Sequence, residues 1–293
     1  MHLPRVTSIL SLFLSSVKLI HCSCNDPFPA FPPPKLHPPS NELKQALKYI
    51  EALVEEKASP SQYDTTSFSL EITSSQSALW EYHHTGRTLS PTRPGATSVN
   101  GSSFYRIASI TKVFTVLSIL QQHAKGTLRL DDSVSQYLPE LSGTLPWHDI
   151  TLRALGSQLS GIPGDLFQSD IINDFADPTM LGLPPKSRKG LPTCDEYSLF
   201  TRACDEKDLI EQLRKQTPIF APAQQPSYCN IGFEILGLVL EKVTGMRFSE
   251  YVHVMLKKID IEGITFDKPD DEVGVLPAGG NKYWDVEMGV QRP

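Results

Sequence analysis

The sequence predicts an α+β fold, with a pair of strands near its start and helices through most of the remainder. Three observations carry this reading. "SFSLEIT" (67–73) and "SALWEYHH" (77–84) are short runs rich in aromatic and aliphatic residues, separated by a serine-rich turn. Downstream, apolar residues recur at helical spacing in one segment after another. No internal repeat and no regular alternation of strand with helix is visible, which argues against a doubly wound parallel sheet.

The bulk properties set the frame. The chain has 293 residues, 40% hydrophobic and 20% charged, which suits one large globular domain or two small ones. Its formal charge is −6 and it has no basic block, so nothing favours nucleic acid as a partner.

The elements follow in order. "MHLPRVTSILSLFLSSVKLIHCSCND" opens with Arg5, then an apolar stretch from Val6 to Leu14 that continues weakly to Ile20. Cys22, Ser23 and Cys24 are small residues suited to cleavage, so residues 1–24 read as a secretory signal peptide. Lys18 interrupts a run already too short to span a bilayer. The expected product is secreted, with no stable membrane insertion after the signal is removed. Residues 25–40 are proline-rich and read as a linker, which leaves 41–293 as the folded domain.

A helix should start at Ser40 or Asn41, with Leu43, Leu47, Ile50 and Val54 forming one stripe. The two strands come next. His83 and His84, adjacent on the second, should point to opposite faces, poor geometry for holding one metal. A Ser-, Thr-, Pro- and Gly-rich loop runs to about residue 103 and contains the glycosylation sequon Asn100-Gly-Ser. An apolar helix then ends near Gly126. "TLRLDDSVSQYLPEL" reads as an extended stretch followed by a short helix, and "ITLRALGSQLSGIP" as a helix broken at Gly161 and Pro163. Residues 164–204 show little periodicity. "EKDLIEQLRKQ", residues 231–244 and "FSEYVHVMLKKI" are helices, the middle one capped by Gly245.

Cysteine spacing adds a covalent expectation. "CDEYSLFTRAC" closes a short loop, which predicts a Cys194–Cys204 disulfide in a secreted chain. The chain-entropy argument gives it about 2–3 kcal/mol. Cys229 is left as a free, buried thiol. No Cys or His pair has the spacing of a zinc site, and no cofactor-binding motif is visible.

Chemistry concentrates in "FYRIASITKVFTVLSIL" (104–120). Ser109 and Lys112 lie one helical turn apart, on one face. Ile107, Ile110, Val113, Phe114, Val116 and Leu117 surround them, so the lysine should be desolvated and able to take the serine proton. Unpaired N–H groups at the helix start would face an oxyanion formed at Ser109. The tetrapeptide alone is weak, because S-x-x-K recurs at Ser15 and Lys18 inside the leader. Tyr228 and Asn230 form the only Tyr-x-Asn in the chain. Two apart on an extended segment, they would face one pocket together. Asn230 could equally cap the following helix, and Tyr228 could be an ordinary core aromatic.

"YRIASITKVFTVLSILQQHAKGTLRLDDSVSQYLPEL", "ITLRALGSQLSGIP" and "YCNIGFEILGLVLEKVTGMRFSEYV" occur in this order. Together they resemble the serine β-lactamase and penicillin-binding-protein superfamily, in its class C-like, D-alanyl-D-alanine carboxypeptidase-like branch, from about residue 41 to the end. The resemblance implies an antiparallel sheet flanked by helices, with a mostly helical second region. It also implies a serine hydrolase that cleaves an amide or ester of a small-molecule acyl substrate. Ser109 would be the nucleophile, Lys112 its base or electrostatic partner, Tyr228 a proton shuttle, and Asn230 the group that positions substrate and Lys112. The family's third motif, Lys/His-x-Gly on a later strand, is absent after Tyr228. That motif's strand supplies an oxyanion N–H, and loss of one such donor typically costs about 100- to 1000-fold in rate. The expectation is a chain incomplete at its C-terminus, lacking the last strands of the sheet. Two alternatives therefore stand beside the hydrolase: a truncated, non-catalytic homologue, and an acyltransferase on the same fold.

Overall fold

The computed structural model describes residues 36, 38–74, 77–166, 178–182, 185, 194–195, 202–276 and 278. The expected signal peptide, most of the proline-rich linker and the last residues of the chain lie outside them. By internal contacts the chain divides into two compact units, residues 1–56 with 71–81, and residues 57–70 with 82–293.

The smaller unit holds most of helix α1 (Asn41–Ala58). Ser40 starts it by accepting a hydrogen bond from the Leu43 amide at 3.2 Å. The expected stripe of Leu43, Leu47, Ile50 and Val54 is half-buried. The outer part of a hairpin, β1 (Phe68–Thr73) and β2 (Ala78–His84), belongs to this unit as well. Ser74 holds the turn: its N–H and its hydroxyl both donate to the Ser77 carbonyl, at 2.8 and 3.0 Å.

The base of the hairpin lies in the larger unit. Phe68 stacks on His84 there, with ring centroids 5.1 Å apart, while His83 Nδ1 pairs with Ser69 Oγ at 2.9 Å. The two histidines thus have different surroundings, as alternation along a strand requires.

The rest of the larger unit is mainly helical. A 3₁₀ turn (Ala108–Ile110) leads into α2 (Thr111–Ala124). Then come α3 (Leu152–Gly156), α4 (Glu206–Leu213), α5 (Ile231–Thr244) and α6 (Phe248–Lys257). The α2 helix packs on α5 and α6, and α3 packs on α5. Ile119, Leu152, Leu155, Ile235, Leu236, Val239 and Met255 are among the side chains of this core. Gly245 follows α5 at φ 68°, the left-handed cap the sequence predicts. The α4 helix begins with a reciprocal cap, Asp205 and Asp208 each accepting the other's backbone N–H at 3.0 Å.

Two expectations are corrected. The helix after Ile150 is shorter than predicted: it stops at Gly156, and Gln158 turns the chain at φ 62°, before Gly161 is reached. Within residues 164–204, where the sequence shows little periodicity, Cys194–Asp195 (β3) and Arg202–Ala203 (β4) form a short parallel pair beside the disulfide. The helix at residue 111 is not buried all round at its start. Thr115, Ser118, Ile119 and Gln122 face the core, which turns Ile110 and Val113 outward, 59% and 62% exposed. Among the described residues, no helix is long and apolar enough to cross a membrane.

Candidate active site

The site is built where the 3₁₀ turn enters α2. Ala108 adopts φ 42°, a conformation rare for a residue with a side chain, immediately before Ser109. The chain leading into the turn is anchored on both sides. Phe104 bridges the segment after the last helix, donating to the Val273 carbonyl at 2.7 Å and accepting from Val275 at 2.9 Å. Arg93 grips Asp271 in a two-pronged pair at 2.5 and 2.8 Å, and that pairing holds the Asp271 carboxyl far below the usual carboxylate range. Tyr105 joins the hairpin base through Ser69, hydroxyl to hydroxyl at 2.7 Å.

Ser109 and Lys112 meet as their spacing predicts, with Nζ donating to Oγ at 3.2 Å. Lys112 also donates to the Tyr228 hydroxyl at 2.8 Å and to Asn230 Oδ1 at 2.5 Å. An ammonium has three N–H donors, and here three oxygens receive them. The expectation of an aliphatic pocket around the lysine is corrected. Lys112 is half-buried, its neighbours Ile110 and Val113 are open to solvent, and two aromatic faces flank it, Tyr228 at 4.7 Å and Phe233 at 5.3 Å.

Tyr228 completes the cluster, its hydroxyl 2.5 Å from Ser109 Oγ. It is 57% exposed, so the reading as a core aromatic fails. Burial of its hydroxyl pushes the phenol up. The hydrogen bonds from Lys112 and with Ser109, together with the lysine charge, outweigh that and bring it below the ordinary tyrosine value. Asn230 stands at the N-cap position of α5, but its side chain makes no capping hydrogen bond. Its amide is committed elsewhere: Oδ1 faces Lys112, and Nδ2 donates to Asp165 at 2.6 Å.

Asp165 is the residue that sequence reasoning missed. The only signal was its place just beyond the "SGIPG" break, in a stretch that folds against "QPSYCN". That contact is extensive. The Ile219 and Phe220 amides both donate to the Gly161 carbonyl, Ser227 donates to Gln158, and Asn230 and Ile231 donate to Gly164. Gln158 Oε1 accepts the Cys229 amide at 2.7 Å. The two glycines permit the approach: a Cβ on Gly161 would sit 2.2 Å from the Phe220 carbonyl oxygen, and one on Gly164 would sit 2.9 Å from that of Tyr228. Cys229, between the two site residues, is buried and free as expected, and burial pushes its thiol up to about 11.

One group of potential metal ligands occurs among the described residues, Cys194, Cys204 and Asp208. Its two sulfurs are bonded to each other in the expected disulfide, which leaves no thiolate to coordinate an ion.

With this geometry in place, similarity to known proteins can be read against it. A family model described as Beta-lactamase matches residues 74–282. A probable hydrolase M10 from Phoma sp. is 28% identical over 299 residues, covering 99% of this chain and 49% of that protein. Beta-lactamase-like protein 1 of Dictyostelium discoideum is 30% identical over 234 residues, covering 79% of this chain and 35% of that protein. The chain thus spans about half or less of the length of these relatives. Among solved structures, a class C beta-lactamase from Rhodobacter sphaeroides superposes with a TM-score of 0.53 at 23% identity, covering 78% of this chain and 52% of that one. A class C beta-lactamase in complex with cefoxitin gives 0.55 at 18% identity, covering 79% and 53%. These likenesses show the fold, the β-lactamase/transpeptidase-like α+β architecture.

Proposed function

The chain belongs to the beta-lactamase family, and from that membership we propose that it is an active-site serine hydrolase, cleaving an amide or ester of a small acyl donor through a Ser109 acyl-enzyme. The observation that carries this is the convergence of Ser109, Lys112, Tyr228 and Asn230 from two separate elements onto one hydrogen-bonded cluster.

The distances suggest a division of labour. With all three of its protons committed, Lys112 acts as a fixed cation. Tyr228, in its ionised form, accepts from both Lys112 and Ser109 and takes the serine proton as Oγ attacks the acyl carbon. The same phenol then returns the proton to the leaving amine or alcohol. Water enters by the reverse route and releases the acid. Backbone N–H groups at the start of the 3₁₀ turn supply the positive end that faces the oxyanion.

The test is covalent labelling. Incubated with a fluorophosphonate, the wild-type chain should gain one adduct on Ser109. Ser109→Ala should gain none, while the control Ser103→Ala labels normally. Equal labelling of both variants refutes the assignment.

Secretion and glycosylation belong to the same proposal. They are supported by the signal-like leader, the Cys194–Cys204 disulfide and the exposed side chain of Asn100 in its sequon. Recovery from culture medium, with a mass loss on enzymatic deglycosylation that Asn100→Gln abolishes, is the expected result.

A further inference from the structure

We propose that Asp165 is a positioning residue, which fixes the Asn230 amide and through it holds Lys112 against Ser109 and Tyr228. The inference rests on the acyl-enzyme reading above and adds a member to its machinery.

An asparagine amide presents an oxygen on one side and an NH2 on the other, and the two ends look alike in shape. Nothing in the side chain itself decides which end meets the lysine. Here the surroundings decide. Asp165 Oδ1 lies 2.6 Å from Nδ2, on the side away from Lys112, and a carboxylate accepts only from a donor. Turning the amide over would set a carbonyl oxygen against the carboxylate and an NH2 against the ammonium, replacing two charge-assisted hydrogen bonds by two repulsions. The carboxylate therefore selects the orientation in which Oδ1 receives the Lys112 proton at 2.5 Å.

The same loop also holds the Asn230 backbone. Gly164, next to Asp165, accepts the Asn230 amide at 2.9 Å and the Ile231 amide at 3.2 Å. Backbone and side chain of Asn230 are thus referred to one short segment. Asp165 reaches Lys112 through the two ends of the Asn230 amide, so it acts through its neighbour and not on the reacting atoms.

The test is a double-mutant cycle read by the rate of acylation with p-nitrophenyl acetate and with a fluorophosphonate. Asp165→Ala should slow acylation about 10- to 100-fold, the scale of one lost charge-assisted hydrogen bond. Asp165→Asn, which keeps an acceptor oxygen in place, should recover most of the rate. In an Asn230→Ala background, Asp165→Ala should cost nothing further, because the link it acts through is gone. Asp165→Ser, whose oxygen falls short of Nδ2, repeats the loss if the alanine variant folds poorly.

A rate within twofold of wild type in Asp165→Ala, or an equal loss in both backgrounds, overturns the inference. A readout independent of turnover is the side-chain NH2 resonance pair of Asn230. It should be widely split and slow to exchange in the wild type, and collapsed in Asp165→Ala; an unchanged pair also overturns the inference. If the wild type is not acylated by either probe, the acyl-enzyme reading fails by itself, and the resonance still decides the role of Asp165.

Discussion

The Tyr228 phenol sits 2.5 Å from a serine hydroxyl and 2.8 Å from an ammonium, under two opposed influences. Burial raises its pKa, while Lys112 and Ser109 lower it by more, so the net displacement is downward. A lowered phenol means that Tyr228 ionises more readily than an ordinary tyrosine, with its titration midpoint moved to lower pH. Lys112→Met removes the donor and the charge but keeps the burial, so its midpoint should move up. The ultraviolet absorbance of phenolate against pH, taken as a difference from Tyr228→Phe, measures this directly. Identical midpoints in wild type and Lys112→Met would refute the coupling. Tyr137 does not confuse the reading, because burial and the Asp132 carboxylate push it up to about 12. Tyr228→Phe itself should slow acylation about 100- to 10,000-fold, the usual worth of a general base. At this scale the sequence was informative where spacing carries geometry. Three residues along a helix is a fact of backbone period, and it brings Ser109 and Lys112 together. The extended segment expected for Tyr228 and Asn230 is corrected, because Asn230 already has helical φ −72° and ψ −44°, and the two converge at the entry to α5. Asp165 was not legible, since a lone carboxylate in a loop has no period and its partner is 65 residues away.

Helix α5 was predicted to its last residue, because a long apolar pattern ends at a glycine that can adopt the left-handed cap. The start of α2 was misjudged for an equally physical reason. A run of Ile, Val, Phe and Leu reads as buried on every side, but only one face of a helix can meet a given neighbour, and α5 and α6 take the face of Thr115, Ser118 and Gln122. Polar side chains face inward there because each finds a partner: Ser118 donates to the Phe114 carbonyl at 2.8 Å, and Gln122 donates to the Tyr251 hydroxyl at 2.5 Å. The loop that carries Asp165 depends on its glycines, and their consequences should separate. Gly161→Ala combines a φ of 72° with a Cβ 2.2 Å from the Phe220 carbonyl oxygen. It should cost about 1–3 kcal/mol of stability in urea denaturation. Gly164→Ala places its Cβ 2.9 Å from the Tyr228 carbonyl oxygen and strains no dihedral. It should still cost stability, because the backbone must move to clear that oxygen, but less than Gly161→Ala; the movement falls on Tyr228 and Asn230, and so should slow acylation by about 10-fold or more. Equal effects of both changes on stability and on rate would show that the two glycines do not act separately.

Over the whole of the larger unit, one covalent bond and one buried thiol report on the same opening event. Cys194 and Cys204 are bonded and both lie in the hydrophobic core. Reduction therefore loosens the unfolded ensemble and should cost about 2–3 kcal/mol of stability. Cys229 lies in that core too, between Tyr228 and Asn230, with Sγ donating to the Pro163 carbonyl at 3.3 Å and accepting the Gly232 amide at 3.1 Å. Its thiol, pushed up to about 11 by burial, stays protonated at neutral pH and is a poor nucleophile until the core opens. In a Cys22→Ser, Cys24→Ser chain, Cys229 is the single free thiol among the remaining cysteines. Its alkylation rate then measures the population of the open state. By linkage, 2–3 kcal/mol lost on removing the crosslink with Cys194→Ala and Cys204→Ala multiplies that population, and the rate, by about 30- to 150-fold when opening is global. A rate that does not change would mean that Cys229 is exposed by local movement of the site segment alone. The disulfide and the active site would then be energetically separate parts of one core.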